Sequence, residues 1–344
     1  MLKNKKLYLF TVILILGLLL VLKVNDDMPE DKKLSSGYSY FEEKTKNMDN
    51  YANLSNYTYH LKKSKEREKT LTDKKIDFLK NVDIFAQVDT KESREENNEF
   101  PQGLCFTEEY ICISSYSKNR ENIGKIKIFD RTNGKLMLTL GMDEGSHLGG
   151  LAYDGDYLWV CNSLKMSIEK ISYEFIQEMI DNHKGKMIDA RNLVDRYRVK
   201  NIPSAITYYD NKLWVISHSI WTKGIIVSYD YNEKKNSLSS LEFFWSASKA
   251  QGVAFTDDGQ VYLSTSYGRT KSSYIKRYRS ISAMNNDVDN YLECIELPPC
   301  SEGIVYKDKK IYVLFESAAR MFLEGTDGKG KSLCPLDRIL IIEE

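Results

Sequence analysis

Six side chains in this 344-residue sequence are the best equipped for chemistry: Glu302, Glu316, His147, His218, Arg269 and Arg320. Either glutamate could serve as a general base. Glu302 together with Asn162 could hold a divalent cation such as calcium, which prefers oxygen ligands. The two histidines could shuttle protons or bind a transition metal. The two arginines could grip a carboxylate or phosphate bidentately. The bland reading of Glu302 is that it accepts hydrogen bonds from neighbouring backbone amides, as buried carboxylates commonly do. The sequence has no GxSxG nucleophile elbow, P-loop or GxGxxG. The GKGK at 328–331 reads as a loop, because no helix carrying Ser or Thr follows it.

These residues are far apart in the chain, so a repeated architecture has to gather them. Glu302 opens the segment CSEGIVYKDKKIYVLFESAAR, which resembles four earlier segments: PQGLCFTEEYICISSYS, HLGGLAYDGDYLWVCNS, IPSAITYYDNKLWVISHS and AQGVAFTDDGQVYLSTSYGR. Anchored on Gly103, Gly150, Ala205, Gly252 and Gly303, the copies are 47, 55, 47 and 51 residues apart. An aliphatic residue opens a second strand 8 or 9 residues after each anchor: Ile111, Leu158, Leu213, Val261 and Ile311. A period near 50 built of strands and turns indicates a β-propeller with one blade per repeat. Five copies give an all-β, five-bladed propeller, with six blades as the alternative. The last repeat lacks a fourth strand, and VDIFAQVD at 82–89 is the candidate donor. The longest spacing contains Phe175, Ile176, Met179 and Ile180 at helical intervals, which predicts a helical insertion near 172–198 that covers a blade edge.

In such a fold the loop before the first strand and the loop after the second open on one face, around the central channel. Just before the anchors come Gln102, Gly149, Ser204, Gln251 and Glu302, with His147 slightly earlier. At the ends of the second strands come Tyr116, Asn162, His218, Tyr267 and Glu316, with Arg269 and Arg320 farther out. The strands repeat because packing requires it, whereas this ring varies. A two-residue turn at Asp308-Lys309 would set Glu302 opposite Phe315 and turn Glu316 to the other side of the blade. Strict alternation therefore keeps the two carboxylates apart unless the strand end curls or bulges.

The PQGL and SEGI starts, with the recurring aliphatic-aromatic second strand, resemble a broad group of secreted propellers. That group includes the gluconolactonase/regucalcin family, strictosidine-synthase-like proteins and plant-type glutaminyl cyclases. The resemblance covers about residues 100–344. It implies a metal-holding inner-strand glutamate, for which Glu302 is the matching position. The accompanying Asn and Asp ligands are not reproduced beyond Asn162. The five-blade count suits the cyclases, but their acidic site is also not reproduced.

Ahead of the repeats, MLKNKK precedes an apolar run from Leu7 to Val24. At about 1.5 Å per residue this run nearly spans a bilayer core. The lysines before it favour a cytoplasmic N-terminus, and no small-residue cleavage site follows. The sequence thus predicts a signal anchor over 1–24, a polar linker over 25–80 and an extracytoplasmic propeller over 81–344. Lys+Arg and Asp+Glu both number 49, which argues against a nucleic-acid partner. Of the six cysteines, Cys300 and Cys334 lie in loops and are the better disulfide candidates. The expected role is a binding module at the cell membrane for a small ligand or surface protein. A metal-assisted hydrolase, lactonase or cyclase-like enzyme is the alternative.

Overall fold

The computed structural model describes residues 54, 56–61, 68–86, 99–117 and 123–344. The strands form five sheets, each built outward from one of the five repeats. Blade 1 runs Glu99–Phe106, Tyr110–Ser117, Ile123–Asp130 and Leu136–Glu144. Blade 2 runs Leu151–Tyr153, Tyr157–Asn162, Ser167–Ser172 and Asp195–Arg198. Blade 3 holds Ala205–Tyr209, Lys212–Ser217, Gly224–Asn232 and Ser237–Ser246. Blade 4 holds Ala250–Phe255, Val261–Thr265, Ser273–Tyr278 and Glu293–Leu297. Blade 5 begins with Ser301–Lys307, Lys310–Phe315 and Leu340–Glu343.

Apolar residues alternate along these strands, so each blade presents one oily face to each neighbour. Five apolar cores result, and each is shared by two consecutive blades. Blades 1 and 2 share Leu138, Leu140 and Leu158, and blades 2 and 3 share Trp159, Val215 and Tyr229. Blades 3 and 4 share Trp214, Ile226 and Leu263, and blades 4 and 5 share Tyr262, Ile275 and Val313. The fifth core, with Ile113, Phe129 and Leu314, joins blade 5 back to blade 1. Five cores for five blades close the ring and leave no place for a sixth.

The repeated glycines mark where inner strands crowd the axis. A Cβ on Gly150 would stand 2.5 Å from Ile206 N. One on Gly252 would stand 2.8 Å from Glu302 O, and one on Gly303 would stand 2.8 Å from both Gln102 O and Leu104 N. The obstacles are backbone atoms of the next blade, which cannot rotate away. Gly303→Ala should therefore strain the junction of blades 5 and 1 and cost about 1–3 kcal/mol, read as a lower urea midpoint with an unchanged slope.

The last blade is completed from the N-terminal side, as the sequence suggested, but by a different segment. Ile76–Phe78 pairs with Leu340–Glu343, Ile76 opposite Ile342. The expected donor at 82–89 is instead a turn where it is described. The Asp83 carboxylate accepts from Phe85 N at 3.1 Å, and Val82 and Ile84 fill the core between blades 5 and 1. Their alternation is that of a strand, but it is spent on interblade packing. Within 25–80, read from composition as linker, Thr58–Leu61 and Lys69–Thr70 add two strands outside blade 4. Their polar side chains suit an outer edge, where one flank faces water.

Helix α1 (Tyr173–His183) forms in the insertion of blade 2, with Ser172 accepting from Phe175 N at its start. Ile176 and Ile180 pack into the core of blades 1 and 2. Met187–Asp189 then adds in parallel to the outer strand of blade 1. All six cysteines are buried thiols outside any disulfide, so the bridge expected of Cys300 and Cys334 is not formed. Each is taken up by packing: Cys300 with Phe100, Ala319 and Phe322, and Cys334 with Phe315 and Leu336. The apolar run 7–24 lies outside the described residues. Among those described, no helix is long and apolar enough to cross a membrane.

Candidate functional site at the channel mouth

The inner strands of blades 1, 4 and 5 share an irregularity. Pairing slips by one residue between Pro101 and Leu104, between Ala250 and Gly252, and between Ser301 and Ile304. Each slip is a β-bulge, which inserts one residue and re-aims its side chain. The residues caught in these bulges include Gln102, Gln251 and Glu302. Ser301, rather than Glu302, consequently lies opposite Phe315. This corrects the regular register expected from the Asp308-Lys309 turn. It also removes the reason for keeping Glu302 and Glu316 apart.

Glu302 is 3 % exposed, and its Oε1 accepts from Gln251 Nε2 at 3.0 Å. Glu316 accepts from the Tyr116 hydroxyl at 3.1 Å, and Gln102 supplies a further side-chain hydrogen bond. Burial, and then the charge of Glu316, push the Glu302 carboxyl well above the usual carboxylate range. Burial also pushes Glu316 up, to about 7, against the opposing pull of Tyr116, Arg269 and Gln102. Glu302 thus keeps its proton to higher pH than an ordinary glutamate, and Glu316 is poised to exchange one near neutrality. Two carboxyl groups that repel in a dry site keep at least one proton between them. Burial, and then Glu316, raise the Tyr116 phenol, which stays a donor. Tyr116→Phe removes a bond that favours ionised Glu316. Its titration should move above 7, followed by the protonated-carboxyl stretch in infrared difference spectra.

An aromatic layer surrounds the acid pair. Phe100 stacks on Tyr116 with centroids 4.9 Å apart and meets Phe322 edge-on at 5.7 Å. The His147 ring packs against Tyr116 at 4.2 Å, although the residue keeps an exposed side. Protein crowded about that ring, and then His218, hold its pKa below the ordinary histidine value. The His218 Nδ1 lies 3.1 Å from the Ala250 carbonyl, which can only accept, so Nδ1 carries the proton. Ser204 anchors the same turn by accepting from His218 N.

Three of the expected site residues are engaged elsewhere. Arg269 donates to both carboxylate oxygens of Asp327, at 2.8 and 2.7 Å, and to the carbonyls of Met321 and Gly330. It also lies 4.3 Å over the Phe322 ring. It therefore clamps the 316–339 excursion of blade 5 and is not a free anion grip. Asn162 donates to Asp143 and Glu169 beside Arg196, and its carbonyl oxygen accepts from Lys165 N. Its amide is thus occupied in a polar cluster of blades 1 and 2, and Glu302 is not among its partners. Tyr267 lies under the Lys249 ammonium at 5.2 Å, on the rim. The backbone of Arg320 opens helix α2 (Arg320–Glu324); its side chain lies outside the described residues. No three His, Cys, Asp or Glu side chains among the described residues are grouped to hold a metal.

Two cavities on this face lie away from the glutamates. A cavity of about 540 Å³ is lined by residues including Lys200, Ile202, His218 and Phe243. A second, of about 660 Å³, lies between blades 3 and 4. Neither is lined by Glu302 or Glu316. The sequence reading passed over Asp327 and the lysines of the second cavity. The only signal for those lysines was their placement beside hydroxyl residues in the turns SIWTKG and RTKSS.

No sequence-family profile matches the chain, and no curated protein matches it in sequence. Solved structures do match in shape. The glutaminyl cyclase of Myxococcus xanthus aligns at 11% identity and a TM-score of 0.43, over 63% of this chain and 86% of its own. The PQQ-bound aldose sugar dehydrogenase of Streptomyces coelicolor aligns at 12% identity and 0.43, over 78% of this chain and 98% of its own. A chain of a nidogen/laminin complex aligns at 11% identity and 0.37, over 62% and 72%. Similarity at this level says nothing of what the present chain binds or converts. By its own sheets the chain is a five-bladed β-propeller, similar to a glutaminyl cyclase among other propeller proteins and placed in no one family.

Proposed function

We propose that the protein is a membrane-anchored, extracytoplasmic propeller that binds a small ligand or a surface protein on the face where its inner strands begin. One observation carries this reading. The polar groups at the channel mouth are turned toward one another within an aromatic layer, whereas the concave spaces on that face lie away from the glutamates. Anchoring is supported by the run Leu7–Val24 behind Lys3, Lys5 and Lys6. Protease added to intact cells should digest the propeller of the full chain and spare a cytoplasmic marker. Protection of the propeller until the cells are opened would overturn the topology.

A second reading, an enzyme of hydrolase, lactonase or cyclase type, draws on one feature: two buried glutamates, Glu302 held by Gln251 and Glu316 by Tyr116, both with raised pKa values. Perturbed acids of this kind cluster at catalytic sites. If this reading holds, Glu316→Gln leaves the fold intact and abolishes turnover of a lactone and ester panel. Full-length protein without turnover, and without calcium by elemental analysis, returns the decision to binding.

A further inference from the structure

The cavity between blades 3 and 4 has a chemical character that the channel mouth lacks. Lys223, Lys249, Lys271 and Lys276 line it, and Asp289 is its one lining carboxylate. Asp289 is exposed and stands 3.9 Å from Lys276, so it offsets one charge of the four. Among the described residues, no carboxylate forms an ion pair with Lys223 or Lys271. Four lysines along one cleft, with Lys249 over the Tyr267 ring and Lys276 over Tyr291, leave it with an excess of positive charge that a bound anion would offset.

The rest of the lining narrows the class of anion. Trp221 is 81 % exposed, and Tyr274 on the same lining is also exposed. Rings held out toward water beside a cleft can stack on the apolar faces of sugar rings. Ser248, Thr265 and Ser272 add hydroxyl groups that donate and accept. The concave shape and the volume of about 660 Å³ suit a few sugar units better than a flat bilayer. The equal numbers of acidic and basic residues argue against nucleic acid. The cleft is also held in place. Lys249 sits at a φ of 61°, with its N–H donating to Ser219 O and its carbonyl accepting from Ser266 N. A lysine is costly in that left-handed region, and these two bonds fix it there.

We infer that this cleft binds an anionic oligosaccharide, its carboxylate or phosphate groups on the lysines and its sugar rings against Trp221. The inference rests on the reading of this face as the binding face and names its site and ligand class. The test is calorimetry on the full chain with tetragalacturonate, its neutral methyl ester, inorganic phosphate, a short DNA duplex and anionic phosphatidylglycerol vesicles. Tetragalacturonate should bind, and raising salt from about 50 to 500 mM should weaken it. The double variant Lys223→Ser/Lys271→Ser should bind it about tenfold more weakly. Both lysines are exposed, so the variant should unfold at the wild-type temperature. Trp221→Ala should weaken it too, whereas phosphate alone should bind far more weakly. Equal affinity for the methyl ester would overturn the charge assignment. Vesicles or duplex bound as tightly, with the same lysine dependence, would replace the saccharide as occupant. Tetragalacturonate binding left intact in the double variant would remove the cleft while leaving the binding face standing. Binding of none of these probes would overturn the ligand class, and the protease test would still judge the topology separately.

Discussion

Arg269→Ala should be the most damaging single substitution at the channel mouth, lowering stability by about 3–5 kcal/mol. The guanidinium and its partner Asp327 are 9 % and 10 % exposed, so neither is well screened by water. Removing the arginine strips the largely buried Asp327 carboxylate of its guanidinium and takes one donor from each of the carbonyls of Met321 and Gly330. It also removes the cation from the face of Phe322. The 316–339 excursion, including helix α2, should detach before the sheets do. Limited proteolysis should cut there first, and the thermal midpoint should fall by roughly 10 °C. Arg269→Lys keeps the charge without the fork and should recover only part of the loss. If Arg269→Ala melts with the wild type and is cut no faster, the clamp is wrong.

Glu302→Gln should raise stability at alkaline pH and flatten its pH dependence. The sign follows from proton counting. An unfolded glutamate loses its proton near pH 4.5, whereas Glu302 keeps it far above that and Glu316 keeps it to about 7. Between those values the folded chain holds more protons than the unfolded chain, so stability falls as pH rises, by about 1.4 kcal/mol per unit per retained proton. The glutamine cannot ionise and keeps a carbonyl to accept from Gln251. Urea unfolding at pH 5, 6, 7 and 8 gives the comparison. The difference between variant and wild type should grow in favour of the variant across that range, and parallel curves would refute it. Other titrating groups, His147 among them, are common to both proteins and cancel in the difference.

The blade count was legible because crowding at the axis leaves a mark in the sequence. Where inner strands touch backbone to backbone only glycine fits, and Ala205 is the single exception among the anchors. The α1 insertion was legible from helical spacing. The bulges at Gln102, Gln251 and Glu302 were not, since a one-residue slip changes no residue type and only re-aims a side chain. Register counted back from the turn therefore kept Glu302 away from Glu316. Arg269 looked free because its partner, Asp327, lies in an irregular loop 58 residues away with no repeat to align it. Asn162 held its repeat position, but its neighbours Asp143 and Arg196 come from blade 1 and from the outer strand of blade 2. Composition hid the strands before residue 80, because an outer edge tolerates the same polar residues as a linker.

Pairing Ile76 with Ile342 makes completion of the ring a late event in the life of the chain. A polypeptide emerging from its N-terminus exposes the outer strand of blade 5 long before the rest of that blade exists. Until Leu340–Glu343 arrives, that strand is an open edge and the face of blade 1 that meets blade 5 has no partner. Closure joins residues more than 260 positions apart, an ordering that delays folding to the last step. Once made, the clasp also sets how the protein resists pulling. A load applied from the N-terminal side would reach Thr58–Leu61 at the rim of blade 4 before it reached the clasp, so the outer strands would yield while the channel stayed whole.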